Sequence, residues 1–384
     1  MAQNKKVNLS SMVNHKFTEE VLKDILCKAY DGKKVQLTDW KFGDEFTKGD
    51  SYLSTVYKGV LYGITDDEAR QEVQVNFVVK SIPQNVARKK TFRSSDFFSN
   101  EIIFYTQVVP KFEKFLKEKG QSKLLRIPRY LVSYMDGEND FIVLEDLSPL
   151  GFGPASRQSC INWAECLVIL EERLIEISQH ALTAEYPDSK ALKQFNSYKF
   201  GTLYDKCSEI VCERKHAPTS VICAGDCWAP NFLVRDIGQN QKEALVLDFQ
   251  LARTANLSTD LSFLIYSCTH KSFRDQYFDT TLKTYHSLLS DAIKTLGSDP
   301  EKIYPWDLFM KEVKENFILG VVFATEAIPF AIMDPSESFD LDVLVKGDEA
   351  VDIADVWALR NIATSSGRRR LADMLIHAVE HGYL

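Results

Sequence analysis

No stretch of this sequence is both long enough and apolar enough to cross a bilayer. The best candidate, Phe317–Met333, is broken by Glu326 and Pro329 and falls short of the roughly 20 residues a spanning helix needs. The first residues, MAQNKKVNLSSMVNHKF, carry two early lysines with no apolar segment behind them, so no secretory signal is expected. A cytoplasmic chain without membrane insertion is the expectation. An excess of positive charge is missing too: the net charge is −8. The short basic runs Arg88–Lys90 and Arg368–Arg370 read as solvated faces, and an acidic surface repels a phosphate backbone, so no nucleic acid partner is expected. The 8 cysteines lack the spacing of a zinc site. Cys207 and Cys212, then Cys223 and Cys227, form C-x4-C and C-x3-C, not C-x2-C pairs, and free thiols are expected. There is no G-x-G-x-x-G motif, no Walker loop, no internal repeat and no low-complexity linker.

With 384 residues, 45% of them hydrophobic, the chain exceeds what one compact domain usually holds. Two lobes are expected: residues 1–147, rich in strands after an amphipathic helix, and residues 148–384, mostly helical. Phe17–Tyr30 places Val21, Leu22, Ile25, Leu26 and Ala29 on one helical face, with Thr18 as its cap and Gly32 as its stop. Strands follow at Lys33–Phe46, Gln71–Ile82, Arg126–Met135 and Asp140–Leu147. A long helix is read at Asp96–Lys119, and further helices at Cys160–Ala184, Gln276–Leu296, Trp306–Ile332 and Asp355–Glu380. The acidic stretch Asp334–Asp355 reads as a solvated loop.

The chemistry concentrates in VICAGDCWAPNFLVR and EALVLDFQLAR. Apolar strand segments at Val221–Ala224, Asn231–Val234 and Ala244–Leu247 carry Asp226, Asn231 and Asp248 at their ends. The pattern is D-x-x-x-x-N followed by D-F-x. In phosphotransferases of the protein-kinase type the first Asp orients the acceptor hydroxyl and takes its proton, while the Asn and the second Asp hold Mg²⁺ against the ATP phosphates. Alone, the spacing is weak, because Asp and Asn are common turn residues. Three other stretches support it. Lys48–Val60 is a hairpin whose turn, with Gly49, Asp50, Ser51, Tyr52 and Ser54, can lay N–H groups and hydroxyls over phosphate. Lys80 ends an apolar strand, and Glu101 sits among Phe97, Phe98, Ile102 and Tyr105, where a carboxylate needs a cation. The strand FIVLEDL then exits through Glu145 and Leu147 into a turn, as a hinge able to bond an adenine edge would. Asp260 begins a later helix, either capping it or tying back to the catalytic loop.

Taken together these residues resemble the ecdysteroid kinase-like (CHK-like) family, related to choline kinases and aminoglycoside phosphotransferases. KGDSYLSTVYKG is similar to its phosphate hairpin, VVK with Lys80 to its strand lysine, Asn100-Glu101 to its helix glutamate, and VLEDL to its hinge. GDCWAPNFLV and DFQLAR are similar to its catalytic and metal motifs. Three positions depart from the pattern: Ala224 stands where the family usually has His, Pro230 where it often has Asn, and Asp50 where it has Glu. The resemblance implies an α+β, protein-kinase-like two-lobed fold. It also implies an enzyme that uses ATP and Mg²⁺ to phosphorylate a small-molecule alcohol, with ecdysteroid hormones the best-known acceptors. Trp228, Phe263, Tyr266, Phe323 and Trp357 could line a hydrophobic acceptor pocket, though bulky aromatics are more often core. The alternatives are an amino-alcohol kinase of the choline or ethanolamine type and a nucleotide-binding pseudokinase.

Overall fold

The computed structural model describes residues 9–45, 54–154, 167–198, 201–211, 218–239, 241–332, 341–351, 356 and 360–384. Two short helices open it, α1 (Leu9–Met12) and α2 (Glu19–Ala29). Leu22, Ile25 and Leu26 of α2 are buried as the periodicity predicts; Thr18 occupies the cap position but makes no side-chain cap bond. Strands β1 (Val35–Glu45), β2 (Thr55–Thr65), β3 (Glu72–Ser81), β4 (Tyr130–Tyr134) and β5 (Phe141–Glu145) form one antiparallel sheet in the order β1-β2-β3-β5-β4. Alternation along β2 and β3 sends Tyr57, Leu61, Val75, Phe77 and Val79 to one face, where they pack with Phe17, Leu22 and Ile25. The same alternation sends Lys80 to the opposite face.

Helix α3 (Val86–Thr91) follows β3 and leads into α4 (Ser94–Ile103). A π-helical turn, Phe104–Val108, joins α4 to α5 (Val109–Glu118), so the single helix expected over 96–119 is widened in its middle. The helical half contains Leu167–Glu185, Lys190–Phe195, Thr202–Ile210, Leu257–Cys268, Lys271–Thr295, Trp306–Ala331 and Ser365–Glu380 around one large core. Within it Leu257–Cys268 and Trp306–Ala331 touch closely: a Cβ on Gly320 would stand 2.3 Å from the Ser262 carbonyl carbon. Two small sheets lie there. β6 (Gly153–Pro154), β8 (Phe232–Gly238) and β9 (Gln241–Val246) form one, and β7 (Ser220–Cys223) pairs with β10 (Arg253–Asn256) in the other.

Two readings of charge are corrected. Residues 341–351 of the acidic stretch are mostly exposed, as expected, but they are tied to α3, and Leu341–Leu344 is helical, not loop. Asn85 donates to the Val345 carbonyl at 2.8 Å, Arg88 bonds Asp342 at 3.1 Å, and Val351 N–H donates to Thr91 Oγ1 at 3.0 Å. Val345, Ala87 and Phe92 share the helical core, so α3 is anchored there although the neighbouring strands are not. The basic runs are structural as well: Arg368 and Arg369 both bond Glu185, and Arg370 donates to the Ser267 carbonyl. Among the described residues no helix is long and apolar enough to cross a membrane.

Candidate active site

Lys80 leaves β3 between Val56 of β2 and Ile142 of β5. Its Nζ lies 2.8 Å from Glu101 Oε2 on α4 and 3.2 Å from Asp248 Oδ2. Glu101 is fully buried, so the lysine is the cation its surroundings demanded. The contact with Asp248 joins two segments that the sequence separates widely. Burial opposes the lysine's charge, but Asp248 and Glu101 together outweigh it and hold its pKa above the ordinary value.

Asp248 is placed by a hairpin. β8 begins after Asn231 and β9 ends before Leu247, with Phe232 opposite Val246, and the Leu247 amide donates to the Asn231 carbonyl at 2.8 Å. Asn231 and Asp248 therefore come to the same end of one ladder. Asp248 has φ +60°, a left-handed conformation that costs a non-glycine residue about 1–3 kcal/mol and is typically retained at functional sites. The next residue, Phe249, stacks on Phe104 at 4.0 Å and meets Tyr105 edge-on at 5.9 Å, both rings belonging to the π-helical turn. Asn100 adds a second clasp, donating to the Gln250 and Ala252 carbonyls at 2.8 and 2.9 Å. Its position beside Glu101 was noted in the sequence, but nothing in the spacing assigned it this work.

The Asp226 side chain is buried and accepts from Asn231 Nδ2 at 2.8 Å, while the same nitrogen also reaches the Asp226 carbonyl at 2.9 Å. Burial, and after it the charge of Asp248, pushes the Asp226 carboxyl up to about 7 against the opposing bond from Asn231. Asp260 resolves its two readings in favour of the loop: its carboxylate accepts from the Ala224 and Gly225 amides at 2.7 and 3.1 Å. The helix it belongs to is capped by Asn256. Gly225 has φ +81°, and a Cβ there would stand 2.1 Å from the Leu251 carbonyl oxygen, so only glycine allows this approach. Ala224, where the resembling family has histidine, packs against the cluster containing Phe104, Tyr105 and Phe249.

Gly49, Asp50, Ser51 and Tyr52 lie outside the described residues; Ser54 is buried just before β2. Glu145 ends β5, and Leu147 forms an apolar group with Phe152 and Leu245 that links the strand exit to β9. The expected aromatics are core: Trp228 stacks on Phe263 at 6.0 Å, and Phe263 meets Phe323 at 5.6 Å. Trp357 and Cys212 lie outside the described residues, among which no three His, Cys, Asp or Glu side chains gather as a metal site. The hard-oxygen pair available here is an amide and a carboxylate, Asn231 and Asp248.

No curated protein matches the chain. Among solved structures, the chain is similar to an ethanolamine kinase of Plasmodium vivax at 14% identity, covering 76% of this chain and 74% of that one with a TM-score of 0.33. It is similar to a putative fructosamine-3-kinase of Haemophilus somnus at 11% identity, covering 94% and 98% with a TM-score of 0.35. A GDP complex of aminoglycoside 2'-phosphotransferase-IIIa matches at 12% identity over 79% and 88%, with a TM-score of 0.31. Scores at this level mark a distant likeness. The family model of the ecdysteroid kinase-like family matches residues 48–174 and 172–298. That span is more than half of the chain and runs from the expected phosphate hairpin past Asp260, so the chain belongs to the ecdysteroid kinase-like family.

Proposed function

We propose that this protein transfers the γ-phosphoryl group of ATP to a hydroxyl of a small hydrophobic alcohol, with an ecdysteroid as the first acceptor to test. One observation carries the reading: Lys80 bridges Glu101 and Asp248 at 2.8 and 3.2 Å, which joins the strand-rich half to the strand ends bearing Asp226 and Asn231. In this reading Lys80 contacts the α and β phosphates, held in place by Glu101. The glycine- and serine-bearing hairpin with Gly49, Asp50, Ser51, Tyr52 and Ser54 covers the phosphates, and the chain around Glu145 and Leu147 meets the adenine.

Asn231 and Asp248 would hold Mg²⁺, since they present hard oxygens on neighbouring strand ends. When bound, the metal neutralises charge developing on the phosphate oxygens. Asp226, fixed by Asn231, orients the acceptor hydroxyl and takes its proton as the new P–O bond forms. The bond from the γ-phosphorus to the bridging oxygen breaks, and ADP leaves.

The test is ATP consumption by the full chain, with and without EDTA, against panels of ecdysteroids, other steroids, amino alcohols and glycosides. Metal-dependent phosphorylation confined to polycyclic alcohols supports the proposal. Transfer to choline or ethanolamine alone would replace the acceptor class. ATP binding without transfer to any panel member would make the protein a nucleotide-binding pseudokinase.

A further inference from the structure

The family's histidine two residues before the catalytic aspartate is absent here, and Ala224 has no side-chain polar group with which to hold the loop. The loop is nonetheless held from more than one side. Asp260 takes two of its amides, as described above. Arg253, the first residue of β10 and the register partner of Cys223, lies against it as well. Its Nε donates to the Leu251 carbonyl at 3.2 Å. The same nitrogen is 3.1 Å from where a Cβ on Gly225 would sit, so the guanidinium stands beside the glycine that precedes Asp226. Its Nη2 is buried without a protein partner. Arg253, Gly225, Cys223 and Asp260 together line a cavity of about 10 Å³, the size of a single water.

Charge gives this placement its meaning. Asp226, Asp248, Asp260 and Glu101 gather around the loop, and Lys80 is committed to Glu101 and Asp248. Arg253 is the cation that lines the same small cavity as Asp260, beside the glycine that precedes Asp226. A guanidinium suits the position because it keeps its charge when desolvated and offers donors on several sides.

We propose that Arg253 is a positioning residue for phosphoryl transfer: set beside Gly225 and sharing a cavity wall with Asp260, it steadies the catalytic loop on the side where the histidine is missing. The proposal rests on the kinase reading of Asp226, so its test carries one measurement that does not need turnover. The variants are Arg253→Met and Arg253→Lys in the full chain, compared by melting temperature, by amide hydrogen exchange at Ala224 and Gly225, and by Mg²⁺-dependent ATP hydrolysis with water as acceptor.

Arg253→Met should speed exchange of those two amides about tenfold while the rest of β7 and β10 stays protected. It should lower kcat about tenfold with KM for ATP within about twofold, and Arg253→Lys should fall between the two on both measures. Unchanged exchange at Ala224 and Gly225 in Arg253→Met would overturn the proposal. So would loss of protection along the whole β7–β10 pair in both variants, which would make Arg253 an anchor of that sheet. A parent protein that transfers phosphate neither to water nor to any alcohol of the panels would count against the proposed function, while the exchange result would still decide the role of Arg253.

Discussion

Lys80 holds two carboxylates at once, and the consequences of removing it follow from the burial of one of them. Glu101 is fully buried, so Lys80→Met strands a carboxylate, a kind of change that costs about 3–5 kcal/mol when nothing compensates. Adding Glu101→Gln to Lys80→Met should recover much of the lost stability and none of the lost ATP turnover, which melting curves and ATP assays on the two variants will show. Asp226→Asn behaves differently because it keeps the shape and the bond geometry near Asn231. It should leave ATP affinity by calorimetry within a few-fold of the parent while turnover falls by about 10² to 10⁴. At this scale the sequence was informative for Lys80, Glu101, Asp226, Asn231 and Asp248, because each ends or faces an element whose periodicity can be read. The contact of Lys80 with Asp248 and the clasp of Asn100 on Gln250 and Ala252 were not legible. Both join stretches 150 or more residues apart in the chain, and no local pattern encodes such a meeting.

Between elements, two close fits carry testable weight. The helices Leu257–Cys268 and Trp306–Ala331 approach at Gly320, where a Cβ would stand 2.3 to 2.4 Å from Ser262 and Phe263 backbone atoms. Gly320→Ala must push the helices apart, and a loss of about 1–3 kcal/mol in denaturant unfolding is expected. The second fit is the junction of α3 with residues 341–351. Asn85 caps α3 by accepting from the Arg88 amide at 2.9 Å and donates across to Val345 at 2.8 Å. Asn85→Ala removes both bonds and should cost about 1–2 kcal/mol, seen as a lower urea midpoint at unchanged slope. Because α3 connects the strand of Lys80 to the helix of Glu101, ATP turnover in this variant should fall further than thermal unfolding alone explains. The acidic composition of residues 334–355 suggested solvation, and the structure shows part of that charge paired, Asp342 with Arg88 and Glu349 with Lys90.

For the molecule as a whole, pH bears on an acid that, among the described residues, stands buried without a partner. Glu326, within Trp306–Ala331, is fully buried, both its carboxyl oxygens lack partners, and burial alone holds its pKa well above the usual carboxylate range. A raised folded-state pKa means that the native protein keeps a proton which the unfolded chain releases near 4.5. Stability from this group is therefore fully present below that pH and is lost as the pH rises toward the folded-state value. Glu326→Gln should match the parent near pH 4 and melt increasingly above it as the pH is raised to 8; melting temperatures that keep a constant gap would contradict this.

The sequence by itself determined the division into a strand-rich half and a helical half, the sheet strands around Lys80, the helix bearing Glu101, and the close placing of Asp226 and Asn231 across a tight loop. These depend on period-2 and period-3.6 patterns and on turn chemistry, which act over a few residues. The tertiary structure alone decided which way Asp260 turns, that α3 belongs to the helical core, that Trp228 and Phe323 pack against Phe263 within the core, and that Arg253 backs the loop where Ala224 replaces histidine. Each of these is settled by packing between elements distant in the chain, where close-packed volume and the need to partner buried charge select one arrangement from many that the local patterns permit.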